Sequence, residues 1–397
     1  MAYIDKYGVE YTNDKKALVR CPEDFSGEYI IPDSVTSIGE QAFFACKGLT
    51  SVTIPNSVTS IGERAFLLSG LISVTIGNSV NSIGKLAFNE CSRLDSIIVE
   101  NGNTKYDSRE NCNAIIETAT NTLVVGCKYT VIPDSVISIG DDAFSGCSGL
   151  TSINIPDCVT SIGARAFGYS DLTSMAIGNS VTSIGECAFS GCSGLTYVTI
   201  GDSVISIGEL AFRECWRLTS IIIPSSVTSI GECAFSGCSG LTSIRVEDGN
   251  TTYDSRNNCN AIIRTATNTL ILGCMDTIIP GSVMNIGEHA FQYCSGLTSI
   301  TVPNSVISIG DWAFNTCDNL TSITIGNSVS SIGEFAFSDC PKLSSVVCYA
   351  PIPPTLKENV FRGVVYSKVP LHVPTGSISN YAKRDKWKDF LINAIAD

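Results

Sequence analysis

Apolar residues recur along this chain in a fixed pattern. Each cycle opens with a short alternating run, as in "LTSVTIP" from Leu49 to Pro55, where Leu, Val and Ile are separated by Thr and Ser. Alternation with period two puts the apolar set on one face of a strand. Pro or Gly then ends the run, at Pro55, Gly77, Pro156 and Gly178. A second apolar pair follows in "SVTSIG", and then "ExAFxxC". That last segment predicts a helical turn with Ala42, Phe43 and Cys46 on one face. The phenylalanine marks the register. It falls at Phe43, Phe66, Phe88, Phe144 and onward to Phe337, eleven times, 22 or 23 residues apart except for two gaps of 56.

A unit this short cannot bury its apolar face alone. Stacked units can, each Leu, Val, Ile, Phe and Cys lying on its equivalent in the next. Parallel strands spaced about 4.8 Å per coil follow from that stacking. The two long gaps hold one inserted module, "NGNTKYDSRENCNAIIETATNTLVVGC" from Asn101 and "DGNTTYDSRNNCNAIIRTATNTLILGC" from Asp248. The expected organisation is an N-terminal cap over 1–31, a repeat array over 32–348 with inserts at about 101–131 and 248–278, and a C-terminal cap over 349–397. The N-terminal cap echoes the second half of the insert. In the C-terminal cap Tyr381, Trp387, Phe390 and Leu391 would form the apolar side of a closing helix.

The stretch "LTSVTIPNSVTSIGERAF" at Leu49–Phe66 and its ten relatives resemble the BspA-like leucine-rich repeat family, also called the Treponema-type leucine-rich repeat. The tail "PPTLKENVF…VPLHVPTGSISNYAKRDKWKDF" is similar to the end of bacterial members. Period and resemblance together set the expected fold. It is an α/β, β-rich repeat solenoid, a curved right-handed leucine-rich-repeat array with parallel strands and atypical capping ends. The resemblance implies adhesion to host proteins or other cells, since members occur on the surfaces of anaerobic mouth and gut bacteria and in parasitic protists. It brings no catalytic residues to carry over.

Composition narrows the function. The 397 residues are 44% hydrophobic and only 16% charged, with a net charge of −13. Such a surface repels phosphate backbones, so no nucleic-acid partner is expected. No apolar stretch is long enough for a membrane span. The start, "MAYIDKYGVEY", shows no basic segment followed by an apolar run, so no secretory signal is visible. The resemblance implies a cell-surface or secreted location, and the missing signal leaves a cytoplasmic one open.

Nine of the eighteen cysteines form a column rather than a disulfide framework. Cys46, Cys91, Cys147, Cys192 and their equivalents sit three residues after the repeat Phe, with Ser69 and Ser170 in two coils. Stacked thiols point the same way, so the column reads as small buried residues. Cys187 and Cys233 sit in a variable slot after the repeat Glu, two residues before the Phe, where Gln41, Arg64, His289, Trp312 and Phe335 also occur. The two histidines, His289 and His372, lie far in sequence from the C-x4-C pairs Cys187/Cys192 and Cys233/Cys238. No metal site and no cofactor is expected. One carboxylate per coil, as at Glu40, Glu63 and Glu232, reads as a solvated stripe.

Binding is expected on the outward strand positions. Most are Ser or Thr, and Tyr197, Arg245 and Asn154 depart from that rule. Tyr and Arg are common interface anchors. The "YDSR" of each insert, with Tyr106, Arg109, Tyr253 and Arg256, is a second candidate as an exposed loop. The resulting reading is a monomeric, non-enzymatic adhesion or recognition protein. Its partner would be a host extracellular-matrix or cell-surface protein, or a glycan. An intracellular protein-interaction scaffold and a carbohydrate-active enzyme on a β-solenoid stay open as alternatives.

Overall fold

The computed structural model describes residues 2–395; Met1, Ala396 and Asp397, which belong to the expected caps, lie outside the described residues. The chain divides into two compact units, Met1–Leu195 with Ser206–Ala211, and Thr196–Ile205 with Phe212–Asp397. Both are built of stacked β-solenoid coils.

In the first unit the strands Ser26–Ile30, Gly48–Thr53, Ser73–Ile76 and Ser96–Val99 form one parallel sheet. Val52 lies opposite Val74, and Val74 opposite Ile97. All three are buried. Zero register offset sets each side chain on its own equivalent, so the period-two pattern fixes one inner face for the whole ladder. A second parallel ladder joins the two-residue strands Ser37–Ile38, Ser60–Ile61 and Ser82–Ile83. The "SIG" glycine behind it has no room for a side chain, since a Cβ on Gly62 would lie 2.5 Å from the Glu40 backbone nitrogen of the preceding coil. The second unit repeats this. Strands Ser299–Val302, Ser322–Ile325, Ser345–Cys348, Pro370–Val373 and Leu391–Ala394 form one sheet, with Ile300 opposite Ile323 and Ile323 opposite Val346.

The "ExAFxxC" segment corrects the sequence reading. It is a run of tight turns and not a helical turn. Gln41 and Ala45 have left-handed φ of 55° and 54°, and the same two positions are left-handed in later coils, as at Arg64 and Leu68. A right-handed helix cannot contain such residues. The amides of Ala42, Phe44 and Cys46 donate within the coil, to the carbonyls of Gly39, Gln41 and Phe43. The amides of Gln41, Phe43 and Ala45 donate to Glu63, Ala65 and Leu67 of the next coil. Each left-handed residue costs about 1 kcal/mol, and the inter-coil hydrogen bonds offset it. Ala42, Phe43 and Cys46 are buried as expected.

The repeat phenylalanines stack like coins. Ring centroids are 4.8 Å apart for Phe43–Phe66 and 5.0 Å for Phe66–Phe88, with planes within 8°. A second stack runs Phe291–Phe314–Phe337–Phe361, at 4.8 to 5.5 Å.

Each insert is a short antiparallel meander feeding the parallel ladder. Tyr106–Asp107 pairs with Ile115–Glu117, and that strand with Thr122–Val125, which then pairs in parallel with Ser138–Ile139. The N-terminus copies this plan. Tyr3–Ile4, Glu10–Tyr11 and Ala17–Arg20 are antiparallel, and Leu18 then pairs in parallel with Ile38.

The C-terminal closing helix is also corrected. Only Ile378–Tyr381 is α-helical, and Trp387–Asp389 is a 3-10 turn. Lys386 between them has φ of 67°, which breaks the helix. Tyr381, Trp387 and Phe390 are buried, with Tyr381 Oη donating to the Ala350 carbonyl and Trp387 Nε1 to that of Pro354, both at 2.8 Å. Leu391 is 50% exposed, because it begins a last parallel strand rather than continuing a helical face.

Candidate functional site

In the second unit the outward strand face carries large side chains on three neighbouring strands. Strand Tyr197–Thr199 lies beside Ser220–Ile223, which pairs in parallel with Ser243–Val246. Val198, Ile221 and Ile244 point into the core. The alternate residues therefore point out. Tyr197 is 51% exposed and Ile222 47%, and Arg245 is exposed directly opposite Ile222. Among the described residues Arg245 has no salt-bridge partner. Asn154 is exposed too, in the first unit, in a segment without regular strand. Ile222 is the member of this patch that the sequence reading left as one outward residue among many.

The inserts are less available than expected. Tyr106 and Tyr253 are core residues, only 7% and 3% exposed, which corrects their reading as loop surface. They point inward because each starts a strand of the meander, and Tyr253 Oη accepts the Ile230 amide at 3.1 Å. Arg109 and Arg256 are engaged. Each forms a two-pronged pair with the Asp two residues before it, Arg109 Nη2 lying 2.7 Å from Asp107 Oδ2, and its Nη1 donates to Asn121 or Asn268 at 2.8 Å. Such forked pairs position a loop.

None of the eighteen cysteines is in a disulfide. Several column thiols instead donate to the preceding coil's Phe carbonyl, as in Cys91 to Phe66 at 3.1 Å and Cys317 to Phe291 at 3.2 Å. Ser fits the same column, and Ser69 and Ser170 contact the next coil's Cys91 and Cys192. Burial pushes Cys91, Cys147 and Cys294 up to about 12, so these thiols are inert. Cys158, Cys187 and Cys233 are the ones only half-buried.

Sequence distance misplaced His289. Its slot is 56 residues from the Cys233 slot, but the insert loops out between them. The structure brings Glu232, Cys233 and His289 together, with one donor atom from each within 4.8 Å of the others. The signal was in the sequence, because both residues hold the same slot in successive repeats. His289 also stacks on Trp312, and Trp312 on Phe335. His372 lies half-buried in the strand Pro370–Val373.

A profile of the BspA type leucine rich repeat region matches in six copies, over 26–124, 124–242, 160–268 and 273–385. The chain belongs to the BspA-type leucine-rich repeat family. Among solved structures, this BspA-type chain is similar to a leucine-rich cell surface protein of Faecalibacterium prausnitzii A2-165, with 25% identity and a TM-score of 0.53 over 100% of this chain and 94% of that one. It is also similar to a leucine-rich repeat protein of Bacteroides ovatus, with 23% identity and a TM-score of 0.43 over 100% and 98%. No curated protein matches it. Among the described residues of this BspA-type protein, no helix is long and apolar enough to cross a membrane.

Proposed function

We propose that this protein is a non-enzymatic recognition module, displayed at the cell surface or secreted, that holds a host matrix or cell-surface protein, or a glycan, on its strand face. The observation that carries this reading is the patch of Tyr197, Ile222 and Arg245. It sets an aromatic, an aliphatic and an unpaired guanidinium on three neighbouring strands, on a face made mostly of Ser and Thr. Repeat arrays bind on such continuous faces, and Tyr and Arg supply most hot spots. The family, and the likeness to a protein named for the cell surface, support the location.

The test is binding of the purified protein to an array of matrix proteins and glycans, with Tyr197→Ala and Arg245→Ala alongside. Either change is expected to weaken a selective interaction by about 2 kcal/mol, roughly thirtyfold. A selective interaction that both variants keep would remove the site from this face. Polysaccharide turnover lost on changing one acidic pair would overturn the non-enzymatic reading.

A further inference from the structure

We propose that the cleft beside the second insert binds a divalent transition-metal ion of the zinc class through Glu232, Cys233 and His289. The three donors are a carboxylate, a thiol and an imidazole, the set that zinc sites draw on. Their ligating atoms lie within 4.8 Å of one another. Ligands of one tetrahedral zinc stand roughly 3.3–3.8 Å apart, given bonds of 2.0–2.3 Å. Closing the gap takes side-chain movement on the order of 1 Å, and Glu232 is exposed and free to turn. The cleft has a volume of about 340 Å³, so solvent and an ion can enter.

The hydrogen bonds behind the histidine are the second observation. They fix which ring nitrogen faces the cleft. The Ser338 carbonyl can only accept, so the nitrogen 3.3 Å from it is the Asn315 amide nitrogen, and Asn315 Oδ1 faces the other way. That oxygen accepts from Gln292 Nε2 at 3.2 Å. Gln292 Oε1 is thereby turned to His289 Nδ1, 2.9 Å away, and it also accepts from Ser236 Oγ at 3.1 Å. An amide oxygen cannot donate, so Nδ1 carries the hydrogen. In the neutral ring Nε2 is then a bare lone pair. It points at Glu232 Oε1, 3.6 Å away, which is also only an acceptor when ionised. Two lone pairs facing each other beside a thiol call for a shared cation. A histidine held through its second nitrogen is the usual support for a metal ligand.

The wider cleft has mixed charge. Glu288 lines it and favours a cation, while Arg264 lines it and opposes one. The two carboxylates outnumber the guanidinium. The ring stack His289–Trp312–Phe335 suits a sugar less well, because the rings cover one another's faces and Arg362 lies over that of Phe335.

The test uses the full chain, reduced, and titrates it with Co²⁺ alone. One saturating equivalent is expected, with a thiolate-to-cobalt charge-transfer band, and Zn²⁺ should displace it. Cys233→Ser should remove the band, and His289→Phe should abolish saturable binding; Phe335 already fills the equivalent slot. Gln292→Leu touches no ion and should weaken binding about 10–100-fold. Cys187→Ser, in the same slot of another coil, should change nothing. The unsubstituted protein adds a check that needs no variant, since Zn²⁺ should protect Cys233 from alkylation. The proposal is overturned if millimolar Co²⁺ gives no saturable binding, if the band survives Cys233→Ser, or if alkylation of Cys233 ignores Zn²⁺. In the first case the cleft holds only the contact between His289 and Glu232.

Discussion

The first and second inserts share one backbone and carry different chemistry. Asn113 Nδ2 donates to the Asp95 carbonyl at 2.7 Å, and Asn260 Nδ2 to that of Thr242 at 2.5 Å. Ser108 and Ser255 each donate to an alanine carbonyl at 2.7 Å, and the two arginine forks match bond for bond. Each insert opens a cleft, of about 410 and 340 Å³, with Phe88 or Phe235 at its wall. The linings diverge. Lys85, Leu86 and Asp142 stand in the first where Glu232, Cys233 and His289 stand in the second. Asp142 pairs with Arg165 of the next coil at 2.8 Å, whereas His289 stacks on Trp312. The slot can vary because its fold does not depend on its side chain. Leu86, Asp142, Cys233 and His289 all have φ between 52° and 58°. Their place is held by inter-coil amide bonds, such as Asp142 N to Ala164 O and His289 N to Asp311 O.

The hardest test of that equivalence is steric. A Cβ on Gly126 would lie 2.1 Å from a Phe144 ring carbon, and one on Gly273 the same distance from Phe291. Gly126→Val and Gly273→Val should each destabilise by about 3 kcal/mol or more, because a buried ring must move. Denaturant melts of the two variants should agree within about 0.5 kcal/mol; a larger difference would break the equivalence. Next comes the asparagine bridge. Asn113 Oδ1 also accepts the Ile97 amide, and Asn260 Oδ1 that of Ile244. Asn113→Ala and Asn260→Ala each strand a backbone donor and acceptor, so each should cost about 2–3 kcal/mol in the same melts.

The sequence made the likeness of the inserts plain and hid their difference. Identical letters at Asn113 and Asn260, or Gly126 and Gly273, announce one backbone. Periodicity alone was enough for the strands, whose inner face is set by alternation at Val52, Val74 and Ile97. It misread the "ExAFxxC" turn, because Gln, Arg, Leu and Cys give no sign of a left-handed backbone; inter-coil bonds impose it. It placed Tyr106 and Tyr253 outside, since a Tyr-Asp-Ser-Arg string reads as loop until the meander's pairing is known. The Glu232–Cys233–His289 cluster needed the insert to be removed from the count. On the strand face the pattern found Tyr197 and Arg245, but their nearness through Ile222 is a matter of stacking order.

The two inserts should also match in their response to alkali. Burial raises Cys147 and Cys294 from an ordinary value near 9.0 to about 12, and it raises Cys127 and Cys274 as well. Between pH 9 and 12 the unfolded chain ionises Cys147 and Cys294 and the folded one does not. The unfolded state then binds fewer protons, so stability is intact below pH 9 and falls as pH rises. Each thiol contributes a loss of about 1.4 kcal/mol per pH unit. Cys147→Ala and Cys294→Ala should flatten that slope by the same amount in melts from pH 8 to 11. Unequal flattening would show that the two cores are not packed alike.

The mildest change in stability should come from moving the chemistry rather than the packing. Lys85→Glu, Leu86→Cys, Asp142→His and Ser145→Gln together would write the second cleft's residues onto the first. The structural cost is mainly the partly exposed Asp142–Arg165 pair, about 1 kcal/mol or less. If the shared backbone is enough to place donors, Co²⁺ titration of this variant should show a second equivalent. Its affinity should be lower, by about 10–100-fold. The reason is one coil further on, where Gly168 stands in place of the Asn315 that orients Gln292. A second equivalent as tight as the first would mean that the orienting chain is idle and that the slot alone makes the site. No second equivalent, in a variant that melts normally, would mean that matching backbones conceal a difference of fit, and the two clefts would have to be treated as separate structures.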